Sequence, residues 1–283
     1  MRQLSSVLQR YAREVGFFDE LAERVPVRVP RGYGADLSED GSSYYLLMED
    51  MGGHRVIDQN EGMSLEDAAR AIDVLAGWHA KFWGQAEQYV ESGAALSIGD
   101  DLYRAVLPMV FGEGWTKIQA EMEVHPTIAE AAPRWIDKLP EMLDALSASP
   151  TTMVHGDYRA DNIFFDDNNN EMVLLDFQIT GLGSASYDLA YFVTQSLVPE
   201  VAGVHEKALF DRYVAALIAA GVSEEETGRL WDDYRVAALF CLVYPVVASR
   251  GMDPSDPRQY GLVDAMSRRC ARAIDDLGLA SLL

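Results

Sequence analysis

Between residues 152 and 178 three short apolar runs alternate with polar loops, and the polar side chains in those loops keep a spacing that limits what the chain can be. The runs are Thr152 to Val154, Ile163 to Phe165 and Met172 to Leu175. Their length and composition predict three strands, with Asp166 to Asn170 as the turn joining the last two. The first loop reads His155-Gly156-Asp157-Tyr158-Arg159-Ala160-Asp161-Asn162, and the third strand runs directly into Asp176-Phe177-Gln178. A loop leaving one strand can bring Asp157 to an acceptor hydroxyl while Asn162, at its far end, turns its amide oxygen to a metal. The strand ending at Leu175 delivers Asp176 to the same metal from the other side. An Asp, an Asn five residues on and a second Asp after an apolar strand are what ATP-dependent phosphoryl transfer to a hydroxyl calls for. Hard oxygen ligands of this kind suit Mg²⁺. Alone, each residue is an ordinary turn former, and only their joint spacing reverses that reading.

The rest of the chain reads mainly as helix. Leu4, Leu8, Tyr11, Val15, Phe18 and Leu21 recur at spacings of three and four, which predicts a helix over 4–25 that Pro26 ends. Residues 29–37 and 43–48 predict two antiparallel strands around an Asp40-Gly41 turn, followed by the connector Glu49-Asp50-Met51-Gly52-Gly53. Ser64, with Asp67 at the third helical position, caps a helix carrying Ile72, Leu75, Trp78, His79 and Phe82. Residues 91–126 show no clear period and are expected to form loops with short helical turns. Residues 127–147 return to helical spacing. Helices resume at Ser186, and Ser223-Glu-Glu-Glu predicts a capping box for a helix carrying Leu230, Tyr234, Ala237 and Cys241. His79 reads as a satisfied core histidine, with Trp78, Phe82 and Trp83 as core. Trp231-Asp232-Asp233-Tyr234 reads as an exposed helix start in preference to a pocket for a cation.

Composition narrows the class. A chain of 283 residues with 49% hydrophobic side chains can bury a core, so whole-chain disorder is excluded. The net charge of −22, from 23 basic and 45 acidic residues, argues against nucleic acid and anionic membrane as partners and favours a cationic acceptor. The same charge also serves plain solubility. Cys241 and Cys270 make no disulfide framework, which fits a reducing cytoplasm. The longest apolar run, Val236 to Ala248, is short of the roughly 20 residues a bilayer needs and predicts a buried helix.

The segment from His155 to Gln178 resembles the catalytic and metal-binding loops of the aminoglycoside phosphotransferase and choline-kinase-like superfamily, and its Asp-Phe-Gln is similar to the ecdysteroid-kinase-like branch. The likeness extends to Gly183 with Asp188-Leu189-Ala190-Tyr191, to Leu75-Ala-Gly-Trp-His-Ala-Lys-Phe-Trp and to Leu47-Met-Glu-Asp. It implies an α+β, protein-kinase-like two-lobed fold, with residues 1–51 as a truncated N-terminal lobe and 52–283 as a mostly helical catalytic and substrate lobe. It implies an ATP- and Mg²⁺-dependent phosphotransferase acting on a small-molecule hydroxyl. Carried over residue by residue, Asp157 is the base, Arg159 neutralises charge on the transferring phosphoryl group, and Asn162 and Asp176 hold Mg²⁺. His155 and Asp188 support the loop. The backbone of Glu49 and Met51 meets the adenine edge, and Glu14 lies on the helix that carries the ion-pairing glutamate.

The sequence departs from that family at one end. Relatives begin with strands that bear a phosphate-covering loop and a phosphate-binding lysine, whereas the lysines here are Lys81, Lys117, Lys138 and Lys207, all past the connector. Neither Gly32-Tyr-Gly34 nor Gly181-Leu-Gly183 completes G-x-G-x-x-G. Arg2, Arg10 and Arg13 are weak substitutes, since none is on a predicted strand. The expectation is a chain that opens just before the Glu14 helix and leaves a sheet edge free for homodimerisation. A pseudoenzyme or binding module that has lost nucleotide anchoring is the first rival. A metal-dependent hydrolase is disfavoured by the lack of a His-rich set.

Overall fold

The computed structural model describes residues 9–41, 43–148 and 150–283. Leu4, Leu8 and Arg2 lie outside the described residues. Helix α1 spans Arg10–Gly16 and continues as a wider π turn over Phe17–Leu21, so it stops short of Val25. Phe17 and Leu21 are fully buried and anchor this end to the core.

Strands β1 (Gly32–Leu37) and β2 (Tyr44–Met48) pair antiparallel, with Asp36 opposite Tyr45. Gly41 makes the turn with φ +66°, a conformation open to glycine at little cost. The first strand begins later than expected. Pro30 has no N–H to donate, and Arg28 instead bridges in parallel to Val173.

Two further sheets surround the loops of interest. In one, β3 (Arg55–Val56) pairs with β6 (Ile163–Asp166), which pairs with β7 (Glu171–Leu174), all antiparallel. In the other, β8 (Gly181–Gly183) lies between β4 (Leu96–Ser97) and β5 (Thr152–Val154). Sequence pattern hides β8 because its glycines are there for clearance. A Cβ at Gly183 would meet Ile98 Cδ1 at 2.2 Å, and one at Gly181 would meet the Leu96 carbonyl at 2.7 Å.

Helix α2 (Leu65–Phe82) starts where expected, with the Asp67 N–H donating to Ser64 Oγ at 3.1 Å. It buries Ile72, Leu75, Trp78, His79 and Phe82. Trp78 Nε1 donates to the Met153 carbonyl at 2.8 Å and Thr152 Oγ1 donates to the His79 carbonyl at 2.7 Å, which fixes β5 against the helix.

The expectation of loops over 91–126 is corrected. After the short α3 (Glu87–Glu91), helix α4 runs from Asp101 to Glu121 with Pro108 inside it. Asp100 caps it through the Leu102 N–H at 2.8 Å. Of its two glycines, Gly114 packs directly on a neighbouring helix: a Cβ there would lie 1.9 Å from the Val246 carbonyl. Tertiary packing overrides local propensity.

Helix α5 covers Pro126–Ser147, and its Trp135 stacks on Phe111 at 4.3 Å. Then follow α6 (Ser186–Ser196), α7 (Pro199–Ala219), α8 (Glu224–Thr227), α9 (Leu230–Phe240), α10 (Val243–Ser249) and α11 (Pro257–Asp276). The capping box at Ser223 and Glu226 is present, but it opens the four-residue α8, and Leu230 starts a separate helix. The run from Val236 to Ala248 is likewise divided between α9 and α10. Among the described residues no helix is long and apolar enough to cross a membrane.

Candidate active site

The loop after β5 is held from below by one carboxylate. Asp188, fully buried in the first turn of α6, accepts from the His155 N–H at 2.6 Å through Oδ2 and from the Gly156 N–H at 2.9 Å through Oδ1. Its Oδ2 also meets His79 Nε2 at 3.2 Å, and His79 Nδ1 bonds the Tyr213 hydroxyl, so His79 is a satisfied core histidine. Gly156 has φ +86°, and a Cβ there would come within 2.3 Å of the Ile179 carbonyl. His155 then joins the two halves of the site. Its Nε2 faces the Leu175 carbonyl at 3.0 Å and therefore carries the proton, while its Nδ1 accepts from the Asp157 N–H at 3.2 Å.

Asp157 sits at the loop's apex. Arg159 Nε lies 3.2 Å from its Oδ1, and Asn162 Nδ2 donates to its Oδ2 at 3.0 Å and to its backbone carbonyl at 2.9 Å. Burial works against the Asp157 charge, but Arg159, His155, the Tyr191 hydroxyl and the Asn162 amide together hold its pKa below the ordinary carboxylate value. Arg159 is itself fixed, donating to Asp161 Oδ2 and to the buried Gln59 Oε1, both at 2.8 Å. Gln59 and Asp161 were not singled out in the sequence, and no local spacing marks Gln59.

Asp176 emerges from β7 with φ +66°, a left-handed conformation that Asp tolerates better than most residues. Burial and then the Asp157 charge push its pKa up. Its Oδ1 is buried with no hydrogen-bond partner among the described residues. An orphaned carboxylate oxygen beside a second carboxylate calls for a cation. Asn162 has its amide nitrogen committed to Asp157, which leaves Oδ1 as the atom that could meet a metal. These oxygens fit Mg²⁺ that keeps water and phosphate in its remaining positions. Among the described residues no three His, Cys, Asp or Glu side chains gather into a metal cage of their own.

Phe177 is fully buried against α1, its ring stacked on Phe17 at 3.6 Å and 4°. Arg13 Nε donates to the Gln178 carbonyl at 3.1 Å. Glu14, buried on the same helix, accepts from the Tyr44 hydroxyl at 2.7 Å. Burial raises the Glu14 pKa; the Tyr44 bond opposes that and the Asp176 charge adds to it.

The connector stands apart. Glu49 binds Arg28 through Oε1 at 2.7 Å and the Arg31 N–H through Oε2 at 3.1 Å, and the Met51 carbonyl accepts from the His54 N–H at 3.0 Å. Neither residue lines the cavity of about 440 Å³ that opens beside Asp157, Arg159 and Asp176. Arg10 and Gln178 also line that cavity, while Tyr187, Tyr191 and Tyr244 form one wall. Tyr103 and Leu107, from the helix missed in the sequence, form another. The Trp231 cluster is elsewhere: Trp231 stacks on Tyr234, and Asp233 is buried against Arg229 and Ser184.

Comparison with known proteins bears on the fold and the family. No curated protein sequence gives a significant match. Among solved structures, aminoglycoside 2'-phosphotransferase-IIIa in its GDP complex is 12% identical, covers 98% of this chain and 83% of its own, and superposes with a TM-score of 0.58. A choline/ethanolamine kinase family protein from Mesorhizobium loti is 14% identical over 100% of this chain and 85% of its own, with a TM-score of 0.52. Macrolide 2'-phosphotransferase type I is 17% identical over 95% and 80%, with a TM-score of 0.50. At these identities the likeness is one of fold, the α+β kinase-like fold expected, and nothing in it separates off the ecdysteroid-kinase-like branch. The model of the phosphotransferase enzyme family, APH, matches residues 2–235, most of the chain. This chain therefore belongs to the phosphotransferase enzyme family.

Proposed function

We propose that the chain transfers the terminal phosphoryl group of ATP to a hydroxyl of a small molecule, with Mg²⁺. The observation that carries the reading is the grouping of Asp157, Asn162 and Asp176, two carboxylates of opposite pKa displacement with an amide between them. Asp157, kept ionised, accepts the acceptor's hydroxyl proton as the new O–P bond forms and the bond to the departing ADP oxygen breaks. Arg159 holds Asp157 in its charged form and lies close enough to offset charge on the transferring group. Asn162 and Asp176 hold the metal, whose charge lowers the cost of bringing phosphate oxygens to two carboxylates. His155 and Asp188 set the loop's position through the bonds described above. Glu49 and Met51 meet the adenine edge through their backbone, and residues 1–51 form the smaller lobe over 52–283. Calorimetry of Mg²⁺–ATP binding, followed by transfer to a panel of hydroxylated acceptors, tests the reading; Asp157→Asn that transfers at the parent rate sinks it.

A second reading has an observation of its own. Glu14 is already partnered by the Tyr44 hydroxyl. That favours a nucleotide- or small-molecule-binding module without turnover. Tight Mg²⁺–ATP binding with no transfer to any acceptor, and no ATP hydrolysis, would select it.

A further inference from the structure

The cavity beside Asp157 has an uneven chemistry. Four charged side chains line it, Arg10, Arg159, Asp157 and Asp176, and the last three lie together. The four sum to zero, and among the described lining residues Asp157 and Asp176 are the only carboxylates. Arg159 already neutralises Asp157 at 3.2 Å, and Asp176 faces the metal position. The −22 charge of the chain therefore lies outside the cavity, and a polyamine acceptor entering it would meet two guanidinium groups and no spare carboxylate.

The remaining walls are apolar and aromatic. Leu96, Ile98, Leu107, Val243, Val247 and Met266 supply aliphatic surface from four elements and the loop after β4. Tyr187, Tyr191 and Tyr244 add aromatic wall, and their hydroxyls are already used. Tyr187 and Tyr244 bond each other, Tyr244 also donates to the Gly156 carbonyl at 3.2 Å, and the Tyr191 hydroxyl is turned to Asp157. Tyr191 and Tyr244 stack face to face at 3.7 Å, which fixes both rings in place. A volume of about 440 Å³ is within the ~300–1,000 Å³ of pockets that enclose drug-sized ligands, and is ample for several fused rings.

We infer that the acceptor is a neutral, mostly apolar alcohol built on a rigid multi-ring skeleton, bound by shape with its hydroxyl turned to Asp157. The inference rests on the proposed phosphotransfer for the role of that hydroxyl. It does not need transfer for the binding. A single quaternary ammonium group would use a small part of the cavity and would find no spare carboxylate there.

Calorimetric titration of the full chain with saturated ring alcohols of one to four fused rings, and with kanamycin and choline, tests this without any turnover. Affinity is expected to rise roughly tenfold per added ring until the cavity is filled. Val247→Asp, on a half-buried wall position, should cost the largest alcohol at least tenfold in affinity with Mg²⁺–ATP binding unchanged; Leu107→Asp on the facing helix serves the same purpose if the first variant folds poorly. Flat affinity across the ring series, no binding of any alcohol, or tighter binding of kanamycin or choline would overturn the inference. Binding of the ring alcohols without phosphorylation by Mg²⁺–ATP would leave the acceptor class standing and remove the phosphotransferase reading. Phosphorylated kanamycin with unbound ring alcohols would do the reverse.

Discussion

The Tyr44 hydroxyl donates to the Glu14 carboxylate at 2.7 Å and so ties strand β2 to helix α1. It is a neutral donor to a buried acid. The Tyr44 pKa rises through burial and through the neighbouring Glu14, and the Glu14 pKa rises as well, so the pair is most comfortable with both protons in place.

That arrangement fixes a sign for pH dependence. Glu14 has a folded-state pKa above its unfolded value, so the stability it confers is complete below the unfolded value and is lost as pH rises through the folded one. Glu14→Gln removes this loss. The variant should be more stable than the parent at pH 7 to 8 by on the order of 1 kcal/mol, with the gap closing toward pH 4. Urea unfolding over a pH series reads the difference, and a gap that widens on acidification would contradict the assignment.

Asp157 carries the opposite sign. Its folded pKa is depressed, so its contribution is present above the ordinary carboxylate value and disappears as pH falls through the depressed one. Asp157→Asn should lower transfer by about 10²–10⁴-fold while Mg²⁺–ATP affinity changes little. Single-turnover transfer and calorimetry measure the two quantities separately.

Asp176→Asn should act on binding. With the orphaned carboxylate oxygen replaced by an amide, Mg²⁺-dependent nucleotide affinity is expected to fall at least tenfold. Metal-independent nucleotide binding should be unaffected. Equal affinity in the two proteins, measured across a Mg²⁺ titration, would take Asp176 out of the metal site.

Asp188 receives two backbone N–H groups on a fully buried carboxylate, and an Asn in its place can accept through one oxygen only. Asp188→Asn should destabilise the chain by about 3 kcal/mol, the scale of losing one charge-assisted bond and stranding a buried donor. Thermal and urea unfolding measure the loss. Transfer should fall further than stability alone explains, because Asp157 depends on the same loop.

Much of this was legible because it is local. The loop from His155 to Asn162 and the exit at Asp176 lie within a stretch where strand, turn and polar residue follow each other in sequence, and Ser64 announces α2 with its own side chain. Features made by distant segments left no such trace. Gln59 reaches Arg159 across 100 positions, Gly114 is a packing contact with α10, and Gly181 and Gly183 form a strand because neighbouring atoms allow no side chain. The cavity is the clearest case. A net charge summed over all residues favours a cationic acceptor, but only the few residues that tertiary structure gathers around the site decide what enters it.

Phe177 joins Asp176 to Gln178, and its ring is boxed by Phe17, Phe18, Trp78 and His155. Turning the Asp176 backbone out of its left-handed conformation would pull that ring from the face of Phe17. The seating of α1 and the posture of Asp176 are thus one feature: the helix end that beds the Phe177 ring also holds the neighbouring acid in place.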